Sequence, residues 1–264
     1  MRVSRFAKAS AVQRVEEGRY QVELDPGFGF GEIINGGYLM AVLVRAAVDA
    51  SPHEHPMATS ANFLRPGRPG PAEVWVESRK TGRTATTARL SLVQDGRPAV
   101  DATITTGTLD PDAAPTWSAE ALRLPPIEEC LTFDSGRGER GFADQVDMRF
   151  DPAMMGWLDG RPSGRLEQAA YFRLRDGEEP DGCSLALAID ALPPVALNTG
   201  GIGWAPTVEL TWYMRAVPAP GWLTVRGSGR LVSDGWFDEE VEIWDSADRL
   251  VAQGRQLARV GRGK

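Results

Sequence analysis

The chain has 264 residues, of which 42% are hydrophobic and 25% charged, and it carries a formal net charge of −7. That length holds one large or two medium cores, and the composition is ordinary for a soluble globular protein. The acidity excludes a general nucleic-acid binder, whose footprint is basic. Two cysteines, Cys130 and Cys183, make no disulfide framework. The first residues lack the apolar run of a signal peptide, and no stretch reaches the ~20 apolar residues of a membrane span. The expectation is a cytoplasmic protein with neither a nucleic-acid nor a membrane partner.

In chain order, Tyr20–Leu24 alternates apolar and polar residues, which predicts a half-buried strand. Asp25-Pro26-Gly27 ends it. After Asn35-Gly36-Gly37 the chain is apolar nearly all round from Tyr38 to Ala50. A helix that apolar belongs inside the molecule, with Asn35 as its N-cap and Ser51-Pro52 as its stop. Strands follow over Ala58–Leu64, Ala72–Ser78, Thr84–Gln94 and, after the Asp95-Gly96 turn, Pro98–Thr106. Residues 107–142, with Pro111, Pro115, Pro125, Pro126 and Gly136-Arg137-Gly138, read as a linker with room for a short helix.

The second half repeats the order. Val146–Phe150 and Glu167–Leu174 predict strands, and Arg175–Pro180 a turn. Cys183–Leu192 predicts a buried helix stopped by Pro193-Pro194. Strands are expected over Thr207–Met214, Trp222–Gly229, Trp236–Trp244 and Arg249–Val260. Phe63-Leu64-Arg65-Pro66 recurs as Tyr213-Met214-Arg215-Ala216, and Asp95-Gly96-Arg97 as Asp248-Arg249, each about 150 residues on. A long buried helix wrapped by antiparallel sheet is a hotdog. Two in tandem make an α+β double hotdog, with units at 1–107 and 143–264 joined by a Pro/Gly-rich linker at 108–142. Fusion fixes a pairing that separate chains reach by dimerisation.

Several chemistries are excluded. No histidine follows His55, so no Ser-Asp-His order of the α/β-hydrolase type can close. Gly182-Cys183-Ser184-Leu185-Ala186 lacks the last glycine of the nucleophile elbow, and Ser184 reads as a helix-start residue. His53-Glu54-His55 has i, i+2 spacing and no nearby cysteine, so it reads as a surface turn rather than a metal site. Gly27-Phe28-Gly29-Phe30-Gly31 is not the dinucleotide fingerprint, and there is no P-loop. No metal or cofactor is implied. Cys183 at a helix start has a route to a depressed thiol pKa, but no histidine stands ready to support it as a nucleophile. A hydrolase built from this chain leans on a carboxylate with hydroxyl and amide helpers.

The carboxylate candidate is Asp190, at the end of an apolar run, because a buried carboxylate needs partners or a purpose. The alternative is an exposed Asp at a helix edge. Thr207 opens a strand, and Gln256 shares a face with Leu250, Ala252 and Gly254 by period two. Aligning the repeats places Met57 against Thr207 and Ile104 against Gln256, so the first copy is greasy where the second is polar. One functional and one degenerate site fit that difference.

These residues resemble the acyl-CoA thioesterase II family and the wider thioesterase-like double-hotdog superfamily. The resemblance rests on Asn35-Gly36-Gly37 with its helix, Phe63-Leu64-Arg65-Pro66-Gly67, Val93–Pro98, Asp190 followed by Leu192–Leu197, and Leu250-Val251-Ala252 with Gln256. It implies that Asp190, Thr207 and Gln256 hold the water that attacks an acyl-CoA thioester. The chain departs from the family in having one residue fewer before Leu192-Pro193-Pro194, and Leu210 where the family has a histidine position. Backbone N–H groups at Gly36-Gly37 or Gly182-Cys183 are the expected oxyanion donors, and Arg65 or Arg215 candidate contacts for the CoA phosphates.

Two other readings stand beside the hydrolase. One is a non-catalytic binder of acyl-CoA or another hydrophobic ligand, its pocket lined by Trp204, Trp212, Trp236 and Trp244. The other is a hotdog dehydratase, ranked last for want of a placed histidine. A homo-oligomer is a further expectation, since double hotdogs often assemble.

Overall fold

The computed structural model describes residues 4–132, 141–201, 203 and 205–261. Gly136-Arg137-Gly138 and Trp204 lie outside the described residues. A short helix α1 (Arg5–Ala9) and strands β1 (Gln13–Glu16) and β2 (Arg19–Leu24) lead to helix α2 (Gly36–Asp49). Strands β3 (His55–Phe63), β4 (Gly70–Thr81), β5 (Ala85–Gln94) and β6 (Arg97–Gly107) complete the first half. The second half has β7 (Val146–Phe150), β8 (Glu167–Leu174), helix α3 (Gly182–Ala188), β9 (Thr207–Met214), β10 (Leu223–Ser228), β11 (Trp236–Trp244) and β12 (Leu250–Arg259).

All twelve strands join one 14-stranded sheet, in the order β1-β2-β4-β5-β6-β3-β9-β12-β11-β10-β8-β7, with Leu131–Thr132 beyond β7 and Val232–Ser233 paired to β11 off this path. The order is a palindrome about the β3·β9 junction, where Asn62 faces Glu209 and Ala58 faces Tyr213. Each half is therefore a hotdog, and the molecule is an α+β double hotdog with its sheets joined edge to edge.

The helices lie inside the curl of this sheet. In α2 every side chain from Tyr38 to Val44 is buried, as are Ala46 and Ala47, and each large aliphatic buried there stabilises the fold by about 1.5–3 kcal/mol. Asn35 caps α2, its Oδ1 accepting the Tyr38 N–H at 2.9 Å. The caps of α3 are Asp181 and Ser184 in a reciprocal capping box, so Ser184 is a helix-start residue. The two helices meet at Gly37, where a Cβ would come within 2.7 Å of the Leu187 carbonyl and 2.9 Å of that of Ala186. Only glycine permits that approach.

The structure differs from the sequence reading in a few places. Helix α3 stops at Ala188, not Leu192, so Asp190 stands in the turn after it. The described part of the linker segment is mostly irregular, with single 3-10 turns such as Ile127–Glu129. The N-terminal helix α1 gives no periodic signal because five residues are too few; it is held by Phe6, which packs on Phe28 with ring centroids 5.6 Å apart. His53 is not in a surface turn: it is buried, its Nε2 3.0 Å from the Gly82 carbonyl.

Candidate active site

A half-buried carboxylate stands where α2 begins and α3 ends. The turn after α3 turns Asp190 toward the first residues of α2. Its Oδ2 accepts the Gly37 N–H at 2.9 Å and the Asn35 side-chain amide at 3.3 Å, and the Gly36 N–H also reaches the carboxylate. The Asn35 amide holds the Asp190 carbonyl as well, at 3.0 Å. Asn35 thus caps its own helix with one end of its amide and fixes Asp190 with the other. A carboxylate at a helix N-terminus is favoured by unpaired N–H groups and the helix dipole. Burial acts the other way and wins, pushing Asp190 up to about 6 against the pull of Gly37 and Gly36. The group is then ionised at neutral pH yet close enough to titrate, as a general base should be.

Thr207 and Gln256 sit on the inner face of the sheet. Between β9 and β12 the register slips: Thr207 pairs with Ala258, but Glu209 pairs with Leu257. Val208 is the extra residue of a β-bulge, and it projects to solvent. By strict alternation Thr207 would share the outer face with Glu209 and Thr211. The bulge turns it inward, where its hydroxyl donates to Gln256 Oε1 at 2.6 Å. Gln256 lies opposite Leu210 on the ladder and is 8% exposed.

Sequence reasoning misses one member of this neighbourhood. Glu239, opposite Gln256 on β11, is buried and hydrogen-bonded to the Gln256 side chain. A signal for it exists: alternation of Phe237, Val241 and Ile243 places residue 239 on the inner face, although the run Asp238-Glu239-Glu240 looks like a solvated stripe. Glu239 also feels the charge of Asp190, which places the Thr207–Gln256–Glu239 chain near that carboxylate.

Other candidates fall elsewhere. Gly36 and Gly37 direct their N–H groups at Asp190 rather than into open space. Cys183 is buried, and burial pushes its thiol up to about 12, the reverse of the depression a helix start would give. Arg65 is exposed and donates to the Pro98 carbonyl at 2.6 Å; Arg215 is exposed. Trp212 and Trp244 are buried in the core, and Trp236 stacks under Arg259. Among the described residues no three His, Cys, Asp or Glu side chains group as a metal site, and no helix is long and apolar enough to cross a membrane. A groove of about 750 Å³, lined by Glu209, Arg226, Glu240 and Arg255 among others, runs over the outer face of the sheet, behind the inner face that carries Glu239.

A carboxylate held by helix N–H groups, near a hydroxyl–amide pair on the facing sheet, therefore lies inside a double hotdog. Comparison with known proteins gives the family. The acyl-CoA thioesterase N-terminal domain matches residues 24–107 and the acyl-CoA thioesterase C-terminal domain residues 123–260. The chain belongs to this acyl-CoA thioesterase family. An uncharacterised protein of Mycobacterium tuberculosis is 31% identical over 266 aligned residues, covering 91% of this chain and 90% of its own. A Thermobifida fusca crystal structure, described as a candidate thioesterase II, superposes with a TM-score of 0.93 at 46% identity over 99% of both chains. A hot dog protein of Alicyclobacillus acidocaldarius shares the fold, with a TM-score of 0.84 at 20% identity over 99% of this chain and 100% of its own.

Proposed function

We propose that this chain hydrolyses an acyl-CoA thioester to the free acid and CoA, using a water held by Asp190, Thr207 and Gln256. The observation that carries the reading is the carboxylate of Asp190, held by the start of α2 and raised toward neutrality by burial. In the reaction Asp190 takes a proton from the water as its oxygen attacks the thioester carbonyl. The tetrahedral intermediate then collapses, the carbon–sulfur bond breaks, and the leaving thiolate takes the proton that Asp190 holds, which restores the carboxylate. Because the Thr207 hydroxyl donates to Gln256, its lone pairs are free to accept from the water, while a Gln256 amide hydrogen can donate to it. Fixing the water in line with the carbonyl supplies much of the rate, since orientation removes entropy from the barrier.

In this reading Gly36 and Gly37 hold the base instead of the oxyanion, because Asp190 already occupies their N–H groups. The two hotdogs, proposed at 1–107 and 143–264 around a linker at 108–142, share one site: the first brings α2, the second brings the base and its helpers. The test is release of free thiol from short, medium, long, branched and aromatic acyl-CoAs, wild type beside Asp190→Asn. Release by the wild type that the variant abolishes supports the reading. A folded wild type that hydrolyses none of the panel, or a variant that turns over at the wild-type rate, overturns it.

A further inference from the structure

Among the described residues no cation reaches the acid Glu239. It is 2% exposed, between Phe237 and Val241 on the inner face of β11. One oxygen accepts the Val195 N–H at 3.4 Å. The other lies over Gly227 of β10, 2.7 Å from where a Cβ would stand, with the Leu192 side chain 3.3 Å from the same point. The charged groups that reach it are Asp190, from the turn after α3, and Asp238, from its own strand, and both are acidic. Arg226 and Arg255, on the flanking strands β10 and β12, line the groove on the outer face. Burial first, then these two carboxylates, push Glu239 up to about 8, against the pull of Val195 and Gln256. At neutral pH it is mostly the neutral acid.

A glutamine amide has one acceptor end and one donor end, and hydrogen-bond partners decide which way it points. Thr207 donates to Oε1 of Gln256 at 2.6 Å, which leaves Nε2 for Glu239. We propose that Glu239 is a positioning residue of the active site: with Thr207 it locks the Gln256 amide in the one orientation that presents an N–H to the attacking water. The proposal rests on the hydrolase reading for its consequence in turnover, but not for the hydrogen bond itself. The neutral acid adds no charge beside Asp190. Once ionised, it sets a second anion next to the base and the developing oxyanion and opposes the reaction, so the rate declines as Glu239 loses its proton.

Two readouts test this. The first is the side-chain amide resonance of Gln256 in the wild-type protein, assigned by its loss in Gln256→Leu and followed by NMR from pH ~6 to ~10. It is expected to shift with a midpoint of about 8 and to stay fixed in Glu239→Gln. The second is the pH profile of acyl-CoA hydrolysis. The wild type should lose rate above about 8. Glu239→Gln should lose that alkaline limb while its kcat falls about threefold at neutral pH. Glu239→Leu, which fills the space but takes no hydrogen bond, should lower kcat about tenfold with KM nearly constant. A wild-type Gln256 amide that does not respond overturns the proposal whatever the variants do, and so does an alkaline limb that survives in Glu239→Gln. If the amide titrates with Glu239 but no acyl-CoA is hydrolysed, the hydrolase reading fails and the locked amide stands.

Discussion

The two halves of this chain put different residues at equivalent places. Both strands at the junction carry a bulge: Val208 is the extra residue in β9, and Met57 is the extra residue in β3. Matching the two ladders on these bulges makes Thr207 equivalent to Pro56, Gln256 to Ile104, and Glu239 to Ala88. Pro56, Ile104 and Ala88 are all buried. In the first half the space at the start of α3 is filled by Pro56, whose ring lies 2.8 Å from where a Cβ on Gly182 would be. In the second, the corresponding space at the start of α2 holds the Asp190 carboxylate, 2.8 Å from a Cβ on Gly36. One backbone plan thus carries apolar packing in one copy and the polar groups of the proposed site in the other.

The sharpest way to break this comparison is to remove the proposed base. Asp190→Asn keeps the shape and the contacts with Gly37 but cannot take a proton, so hydrolysis should fall about a thousandfold. Stability should move the other way. The folded pKa of Asp190 is raised, so the native state disfavours the ionised form. Its destabilisation grows as pH rises from about 4 to about 6 and is fully present above that. Asp190→Asn should therefore be more stable than wild type by about 1–3 kcal/mol at neutral pH, read by denaturant titration. Wild-type kcat/KM should rise through about 6 as the base ionises. A variant that loses activity together with stability would mean that Asp190 is structural.

The second test carries a first-half residue into the second half. Gln256→Ile recreates the Ile104 arrangement, leaves Thr207 without its acceptor and frees the water. Turnover should drop about a hundredfold, with KM and the thermal midpoint little changed. Full activity would show that the polar contrast between the halves is incidental.

Much of this contrast is legible in the amino-acid sequence. Period two places Gln256 inward, and the repeat offset matches it with Ile104, which the ladder repeats. The long apolar run of α2 and its Asn35 cap are equally plain, because burial on all sides and a capping amide both leave local signals. The offset matches Thr207 to Met57 rather than Pro56, since the first half carries one extra residue at the end of β3, where the N–H groups of Leu64 and Arg65 both reach the Ala99 carbonyl, and nothing local marks it. The apolar run reads as a helix that carries Asp190 near its end, whereas α3 stops earlier and the following turn aims the carboxylate. That turn depends on α2 offering its N–H groups from about 150 residues away, a long-range contact that no local pattern records. Glu239 is hidden for a similar reason: its neighbours Asp238 and Glu240 face solvent, and three acids in a row suggest one exposed stripe.

The helix starts offer a third test. A Cβ at Gly37 would strike the backbone carbonyls of Leu187 and Ala186, while one at Gly182 would strike the Pro56 ring and only touch the Met214 sulfur. Backbone in the middle of a packed helix pair cannot give way, and side chains can in part. Gly37→Ala should cost about 2–3 kcal/mol and lower kcat, because it separates the N–H of residue 37 from Asp190. Gly182→Ala should cost about 1 kcal/mol and leave kcat near wild type. Equal losses in both would mean that the two helix starts tolerate change alike, and the asymmetry argued for them would fail.

The smallest effect concerns buried amides that are not equally used. Asn198 is fully buried and fully engaged, donating to the carbonyls of Met154 at 2.8 Å and Glu167 at 2.9 Å and accepting from the Ser163 N–H. Gln168 is just as buried, on the inner face of β8 opposite Gly227, but neither its Oε1 nor its Nε2 has a partner among the described residues. An unpaired buried amide costs its desolvation without return. Gln168→Leu should therefore stabilise the protein by about 1 kcal/mol, whereas Asn198→Leu should destabilise it. If Gln168→Leu instead lowers stability, that amide is satisfied in solution. The inner face of the second half would then be a connected polar layer reaching from Thr207 through Gln256 and Glu239 to β8, and the contrast with the apolar first half would extend across the sheet rather than stop at the active site.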